Sequence, residues 1–455
     1  MSSQDTPGML DALFRTDAIR AVFSDRGRLQ GMLDFEAALA RATARAGLIP
    51  QSAVAPIEAQ CRADLYDMEL LARAAEAAGN TAIPVIKALT SHVESRDPGA
   101  ARHVHWGATS QDAMDTGLVL QLRAALALVE ADLEALSDSL ARLADAHRGT
   151  VTAGRTWLQH AVPTTFGLRA AGWLSAIERH RRRLQQIKPR VLALQLGGAA
   201  GTLGAMGDRG LEVAAAVAAD LGLSLPDMPW HTQRDRVAEV ATTLGLLAGS
   251  LGKIARDVSL SMQTEIGEAS EPAGEGRGGS STMPQKRNPV SAAVVLAAAV
   301  KVPGLVSVIL AAMVQEHERG LGNWHAEWET LPEICMLTAG ALAQARRIVD
   351  GLEVDAQRMR ESVDLTRGLM LAEAVSMALA PKVGRRMAHQ LVERAGAIAA
   401  KEGRSLREVL VADAQVMAHM TTAELDRALD PHNALGCADA LIDAVLAARG
   451  DVAGH

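Results

Sequence analysis

The sequence predicts an all-α protein, with three helical domains organised around a bundle of long helices. Three observations predict it. Leu122, Leu126, Val129, Leu133, Leu136, Leu140 and Leu143 are spaced alternately four and three apart, and Val237, Val240, Leu244, Leu247, Leu251, Ile254 and Val258 repeat that alternation. Such heptad seams mark helices that pack side by side. No stretch of useful length alternates with a period of two, so no strands are expected. Aromatic residues make up only 2% of a chain that is 49% hydrophobic, which suits Ala-rich and Leu-rich helices at close approach.

Residues 1–110 read as short helices joined by turns. Leu29, Met32, Leu33, Phe35 and Leu39 keep helical spacing until Gly47 and Pro50 end the run. Thr109 or Ser110 can cap a helix over about 111–147, roughly 55 Å long at 1.5 Å per residue. The central domain, residues 111–353, holds this helix, a second at 173–194, the second seam and a further helix after Pro289. The most apolar stretch, 292–314, carries Lys301 and Pro303 in its middle, which favours a bundle helix over a membrane span. These helices carry more Ala, Leu and Val than one chain can cover, so packing between subunits is expected. From 354 to 455 the periodicity shortens and Pro381, Gly403, Pro431 and Gly436 punctuate a small helical domain.

The formal charge is −7, from 46 Lys and Arg against 53 Asp and Glu, with no strongly basic segment. A nucleic-acid groove is therefore not expected. Cys61, Cys335 and Cys437 are odd in number and far apart, which predicts neither a disulfide framework nor a zinc cluster. The opening residues mix Asp5, Asp11 and Arg15 among apolar ones, unlike a secretory signal. A cytoplasmic small-molecule protein is the expectation.

Three polar loops adjoin the long helices: HVHWGATSQD at 103–112, GRTWLQHAVPTTFG at 154–167, and GEGRGGSSTMPQKRNP at 274–289. The last is the most suggestive. Its glycines allow movement and close approach of backbone amides to a ligand, while Ser280, Ser281, Lys286 and Asn288 supply a nucleophile or base, a cation and an amide donor. The loop lacks the GK[ST] ending of a phosphate loop and follows a helix, so no nucleotide fingerprint is present. His103 and His105 lack partners for a metal set, and His317 with His325 has no ligand spacing. An acid/base enzyme without metal or cofactor remains.

GSSTMPQKRNP at 279–289 resembles the defining motif of the fumarase/aspartase superfamily, and GATSQD and GRTWLQHAVPTTFG resemble its two other active-site regions in the expected order. The resemblance covers nearly the whole chain. It implies a homotetramer around a twenty-helix core, with each active site drawn from three subunits and a catalytic loop at 268–289. It also implies roles. Ser280 matches the serine that exchanges a proton with the carbon beside a carboxylate, and Lys286 and Asn288 match the residues that hold that carboxylate as an aci-carboxylate. His160 matches the histidine that acts on the leaving group. Thr109, Ser110 and Gln111 match substrate-carboxylate contacts, and His105, Thr156, Gln233, Ser281, Met283 and Arg319 complete the implied substrate-binding set.

Two departures point to a branch. The superfamily glutamate seven residues after the motif lysine, which supports the acid histidine, is Ala293 here. Without that partner His160 should be less basic and less firmly oriented, which suits a leaving group that needs little protonation. In 316–332 the chain has Trp324, His325 and Trp328 where adenylosuccinate lyases carry a serine pair and an arginine. WHAEWETLP, WHTQRDR and FSDRGRLQGMLDFEAALARA resemble the lactone-forming cycloisomerases of the superfamily. That implies a small tricarboxylate diene as substrate, in protocatechuate breakdown. Adenylosuccinate lyase and a non-catalytic helical scaffold are the alternatives.

Overall fold

The computed structural model describes residues 8–274, 278–279, 283 and 286–449. Among them are twenty α-helices, short 3₁₀ turns and two two-stranded antiparallel ribbons. The chain divides into two compact units. One comprises Met1–Leu133, His180–Gly252 and Val294–Gln344, the other Glu134–Arg179, Lys253–Ala293 and Ala345–His455.

Both seams are buried as their spacing requires, save Leu143 at the end of the first, which is half-buried. Helix α1 (Asp25–Arg45) begins at Ser24, whose hydroxyl accepts from the Gly27 amide at 3.0 Å, and is followed by Gly47 at φ 73°. Helix α2 (Ser110–Ala146) buries Leu122, Leu126, Val129, Leu133, Leu136 and Leu140 at 2% exposure or less. Each buried Leu contributes roughly 1.5–3 kcal/mol, so this stripe holds the helix against its neighbours. In helix α4 (Asp235–Ser261) all seven seam residues are buried. Helix α3 (Phe166–Val191) starts seven residues before the expected 173, because the Thr165 hydroxyl accepts from the Leu168 amide at 3.0 Å and starts the turn early. Helices α5 (Val290–Ala312) and α6 (Asn323–Asp350) complete the long set.

One expectation fails. The segment around GRTWLQHAVPTTFG is a β-hairpin, with β1 (Val151–Thr156) paired to β2 (Gln159–Thr165). Its two-residue turn is Trp157 and Leu158, at φ 53° and 64°, the left-handed pair that tight hairpins require and that Asn-Gly usually supplies. A bulge between Ala153 and Arg155, with Gly154 and Pro163 in the strands, breaks the alternation that would have revealed it. A shorter ribbon pairs β3 (Ala269–Ser270) with β4 (Glu353–Val354). The first unit has its own apolar core, including Leu33, Phe35, Leu89 and Val213, and the second includes Val375, Leu391, Leu406 and Leu425.

Candidate active site

In the first unit the site grows from the N-terminus of α2. Asp112 is fully buried, and its carboxylate accepts five hydrogen bonds. The donors are the amides of Thr109 (3.0 Å), Gly197 (3.0 Å) and Gly198 (2.9 Å), Gln195 Nε2 (3.1 Å) and His231 Nε2 (2.8 Å). One carboxylate at the start of a helix thus fixes the 107–112 turn, the 195–198 segment and the WHTQRDR segment together. Gly198, at φ 69°, is needed there, since a Cβ would lie 3.1 Å from the Gly107 carbonyl oxygen.

Beneath this lies an ion cluster. Arg234 is 1% exposed and bridges Asp115, at 2.7 and 3.1 Å, and Glu327, at 2.5 to 3.1 Å. It also stacks over the Trp230 ring at 4.8 Å, while Trp324 Nε1 donates to Asp115 at 3.3 Å. Burial opposes the Arg234 charge, but the two carboxylates outweigh it and raise its pKa; burial pushes Glu327 upward, with Arg234 pulling the other way. Trp324 and Glu327 of WHAEWETLP are therefore structural supports of this cluster.

Gln111, also fully buried, donates to Asp115 at 3.0 Å and to the His231 carbonyl at 2.8 Å, which turns its own Oε1 outward to accept from Arg319 Nε at 2.9 Å. Arg319 Nη2 donates to Thr109 Oγ1 at 3.2 Å and to the Ala199 carbonyl at 3.3 Å. All three acceptors are neutral. The guanidinium is held in place without its charge being cancelled, as a carboxylate site requires. Ser110 Oγ accepts weakly from Asn80 at 3.4 Å, and Gln233 is exposed. His105, at φ 58°, makes a 2.6 Å hydrogen bond through Nδ1 to Glu36.

The second unit holds the hairpin and the glycine loop. Arg155 and His160 are register partners across β1 and β2, and Thr156 pairs with Gln159 at the turn. Arg155 donates twice to Glu268, at 2.9 and 2.5 Å, and Thr152 Oγ1 lies 3.5 Å from the same carboxylate. Burial opposes the Glu268 charge, yet the Arg155 hydrogen bonds hold its pKa below the usual range. His160 is depressed, first by burial and then by the Arg155 cation, with Glu268 only partly offsetting them. The ring of His160 makes no hydrogen bond among the described residues. Glu271 caps α5, accepting from the amides of Ser291 at 3.0 Å and Ala292 at 2.7 Å, and Arg287 ties the loop's base to Glu353 at 2.8 Å. The Asn288 amide donates to the Gly278 carbonyl at 2.8 Å. Lys286 is exposed and Met283 is 43% exposed. Ser280 and Ser281 lie outside the described residues.

Comparison with known proteins identifies the family. A family model described as Lyase matches residues 13–304. The chain belongs to this lyase family, the fumarase/aspartase superfamily. A second model, described as Adenylosuccinate lyase C-terminus, matches residues 368–445. The 3-carboxy-cis,cis-muconate cycloisomerase of Pseudomonas aeruginosa is 62% identical over 447 residues, 98% of this chain and 97% of that protein. The Pseudomonas putida enzyme of the same name is 60% identical over 421 residues, 92% of this chain and 100% of that protein. The crystal structure of 3-carboxy-cis,cis-muconate lactonizing enzyme from Pseudomonas putida matches with a TM-score of 0.94 at 57% identity, over 98% of this chain and 100% of that one.

Within this lyase family framework, sequence reasoning singled out Thr109, Gln111 and Arg319, which the structure brings together, and His160 and Thr156, which share the hairpin. It missed the residues that hold them: Asp112, Asp115, His231, Arg234 and Glu327 in the first unit, Arg155 and Glu268 in the second. A signal was present, since acidic and basic residues spaced through SQDAMD, WHTQRDR and WHAEWE cannot all be solvated if their helices are core.

Proposed function

We propose that this chain catalyses the reversible closure of 3-carboxy-cis,cis-muconate to its lactone, 4-carboxymuconolactone, in the protocatechuate branch of aromatic breakdown. The observation that carries this reading is that relatives 60 and 62% identical over nearly the whole chain bear that activity in their names. One substrate carboxylate forms a C–O bond across a double bond, and the adjacent carbon takes a proton from Ser280. Between these two events the displaced C=C electron pair resides in the carboxylate on that carbon as an aci-carboxylate, stabilised by the Lys286 cation and the Asn288 amide, and it returns to form the C–H bond as the proton arrives. Arg319, Thr109, Ser110 and Gln111 receive a second carboxylate, and His105, Thr156, Gln233, Ser281 and Met283 are the further substrate-binding residues, each site drawing on three subunits of the tetramer. In the reverse direction the leaving group is a carboxylate whose parent acid has a pKa of about 4, so it departs with little protonation. A His160 held below its usual pKa, with Ala293 in place of a supporting glutamate, suits an orienting role better than a strong acid.

The reading includes a cytoplasmic homotetramer, with functional segments at 1–110, 111–353 and 354–455 and no cofactor. Support for assembly comes from α5, whose most apolar stretch is only 22% buried within the chain, and which leaves Val300 81% exposed. The hairpin tip presents Trp157 at 97% and Leu158 at 75% exposure. Apolar surface of this extent on a long helix calls for other copies. The test is an absorbance assay with the tricarboxylate diene and, separately, with adenylosuccinate. Loss of diene absorbance with the first alone supports the reading, and turnover of adenylosuccinate alone overturns it. Sedimentation at several concentrations reads the tetramer.

A further inference from the structure

Glu36 is a carboxylate that the reaction above does not use, and it is buried as deeply as the core around it. It lies on α1 between Phe35 and Ala38, both fully buried, and is itself 2% exposed. Its Oε1 meets His105 Nδ1 at 2.6 Å, and its Oε2 has no hydrogen-bond partner among the described residues. A carboxylate is costly to bury with one hydrogen bond unless that partner carries positive charge. His105 is itself held unusually, with a non-glycine backbone at φ 58°. Its side chain is 16% exposed, and Nε2 makes no hydrogen bond among the described residues. The inner nitrogen is thus fixed to a buried acid while the outer one is left for a ligand.

We propose that Glu36 is the positioning residue of His105, holding it as an oriented imidazolium whose Nε2–H receives a carboxylate of the substrate. This rests on the tricarboxylate reading. The charged groups acting on His105 are Glu36 from α1 and Asp112 from α2; burial opposes the ring's charge and these two outweigh it, raising its pKa. Asp112 already accepts from five donors, so Glu36 is the partner in contact. The arrangement gives this site the histidine–carboxylate pair that His160 lacks. No proton needs to leave His105 during turnover. It acts as a fixed cation, a carboxylate subsite in addition to Arg319.

The first test uses the full-length wild-type protein, with ¹³C-labelled histidine and the His105 resonance identified by its loss in His105→Asn. His105 should titrate above the ordinary imidazole range without substrate; titration at or below that range overturns the proposal. In Glu36→Gln, which keeps an acceptor but removes the charge, the titration should move to lower pH. KM for the tricarboxylate at pH 8 should rise about tenfold with a smaller change in kcat, and should recover as the pH is lowered and the ring regains its proton. An unchanged KM and pH profile in a correctly folded Glu36→Gln overturns it as well. A wild-type enzyme that leaves the tricarboxylate untouched sinks the reaction proposed above, whereas the Glu36–His105 pairing itself is read by the titration, which needs no substrate.

Discussion

The cluster around Asp112 and the cluster around His160 handle charge in opposite ways. In the first, the buried Asp112 and Arg234 are saturated, with five donors on Asp112 and two carboxylates on Arg234, while the half-buried Arg319 is held on neutral oxygens. In the second, Lys286 and Thr156 are exposed and the His160 ring has no hydrogen bond among the described residues. The hairpin tip puts a tryptophan almost wholly into solvent. A group with five hydrogen bonds cannot shift without breaking several of them, whereas an exposed hairpin tip can move at small cost. On the proposed reaction, carboxylate recognition falls to a cluster held by many hydrogen bonds, and proton transfer to more exposed elements.

The largest effect should come from the glycine-loop serine. Ser280→Ala should lower kcat by roughly 10³-fold with assembly intact, as expected for the group that moves the proton; near-normal turnover would remove the glycine loop from the chemistry. Next comes the saturated cluster. Arg234→Met leaves Asp115 and Glu327 buried without their cation and should cost about 3–5 kcal/mol of stability, read by urea unfolding. A loss below about 1 kcal/mol would show that the cluster is not the rigid support the contrast assumes.

A pH titration of stability separates the two further. Glu268 has a lowered pKa in the folded chain, so its stabilising contribution is complete above the ordinary carboxylate range and is lost as the pH falls through the lowered value. Glu268→Gln should therefore destabilise at pH 7 and converge on the wild type at strongly acidic pH, and parallel pH curves would refute the Arg155–Glu268 pair as the hairpin's anchor. The smallest effect is expected at His160. His160→Ala should change kcat by less than about tenfold, or about 1.4 kcal/mol, because a depressed imidazole is neutral near pH 7 and its leaving group needs no strong acid. A loss as large as that of Ser280→Ala would restore a general-acid role.

Much of this was legible in the residues. The 3-4 spacing of both seams located α2 and α4 because a heptad pattern has only one compact solution, and the order of three polar motifs pointed to the superfamily. The hairpin was not legible. Its turn uses Trp157 and Leu158 where glycine or asparagine is the usual signal, and Gly154 with Pro163 blurs its alternation. Nor were the supports of the site. Asp112 and Asp115 are separated from their partners His231 and Arg234 by 119 residues of chain, and Arg234 from Glu327 by 93.

The sequence by itself determined the helical class, the long helices and the polar residues available for carbon-acid chemistry, since periodicity and local motifs are properties of neighbouring residues. Only the tertiary structure decided which charges are paired and which are left open. It closed Arg234 between two acids, left Arg319 on three neutral oxygens, and set Glu36 against His105. The reason is physical: the worth of a charge depends on its burial and on partners distant in the chain, and neither exists until the helices have packed.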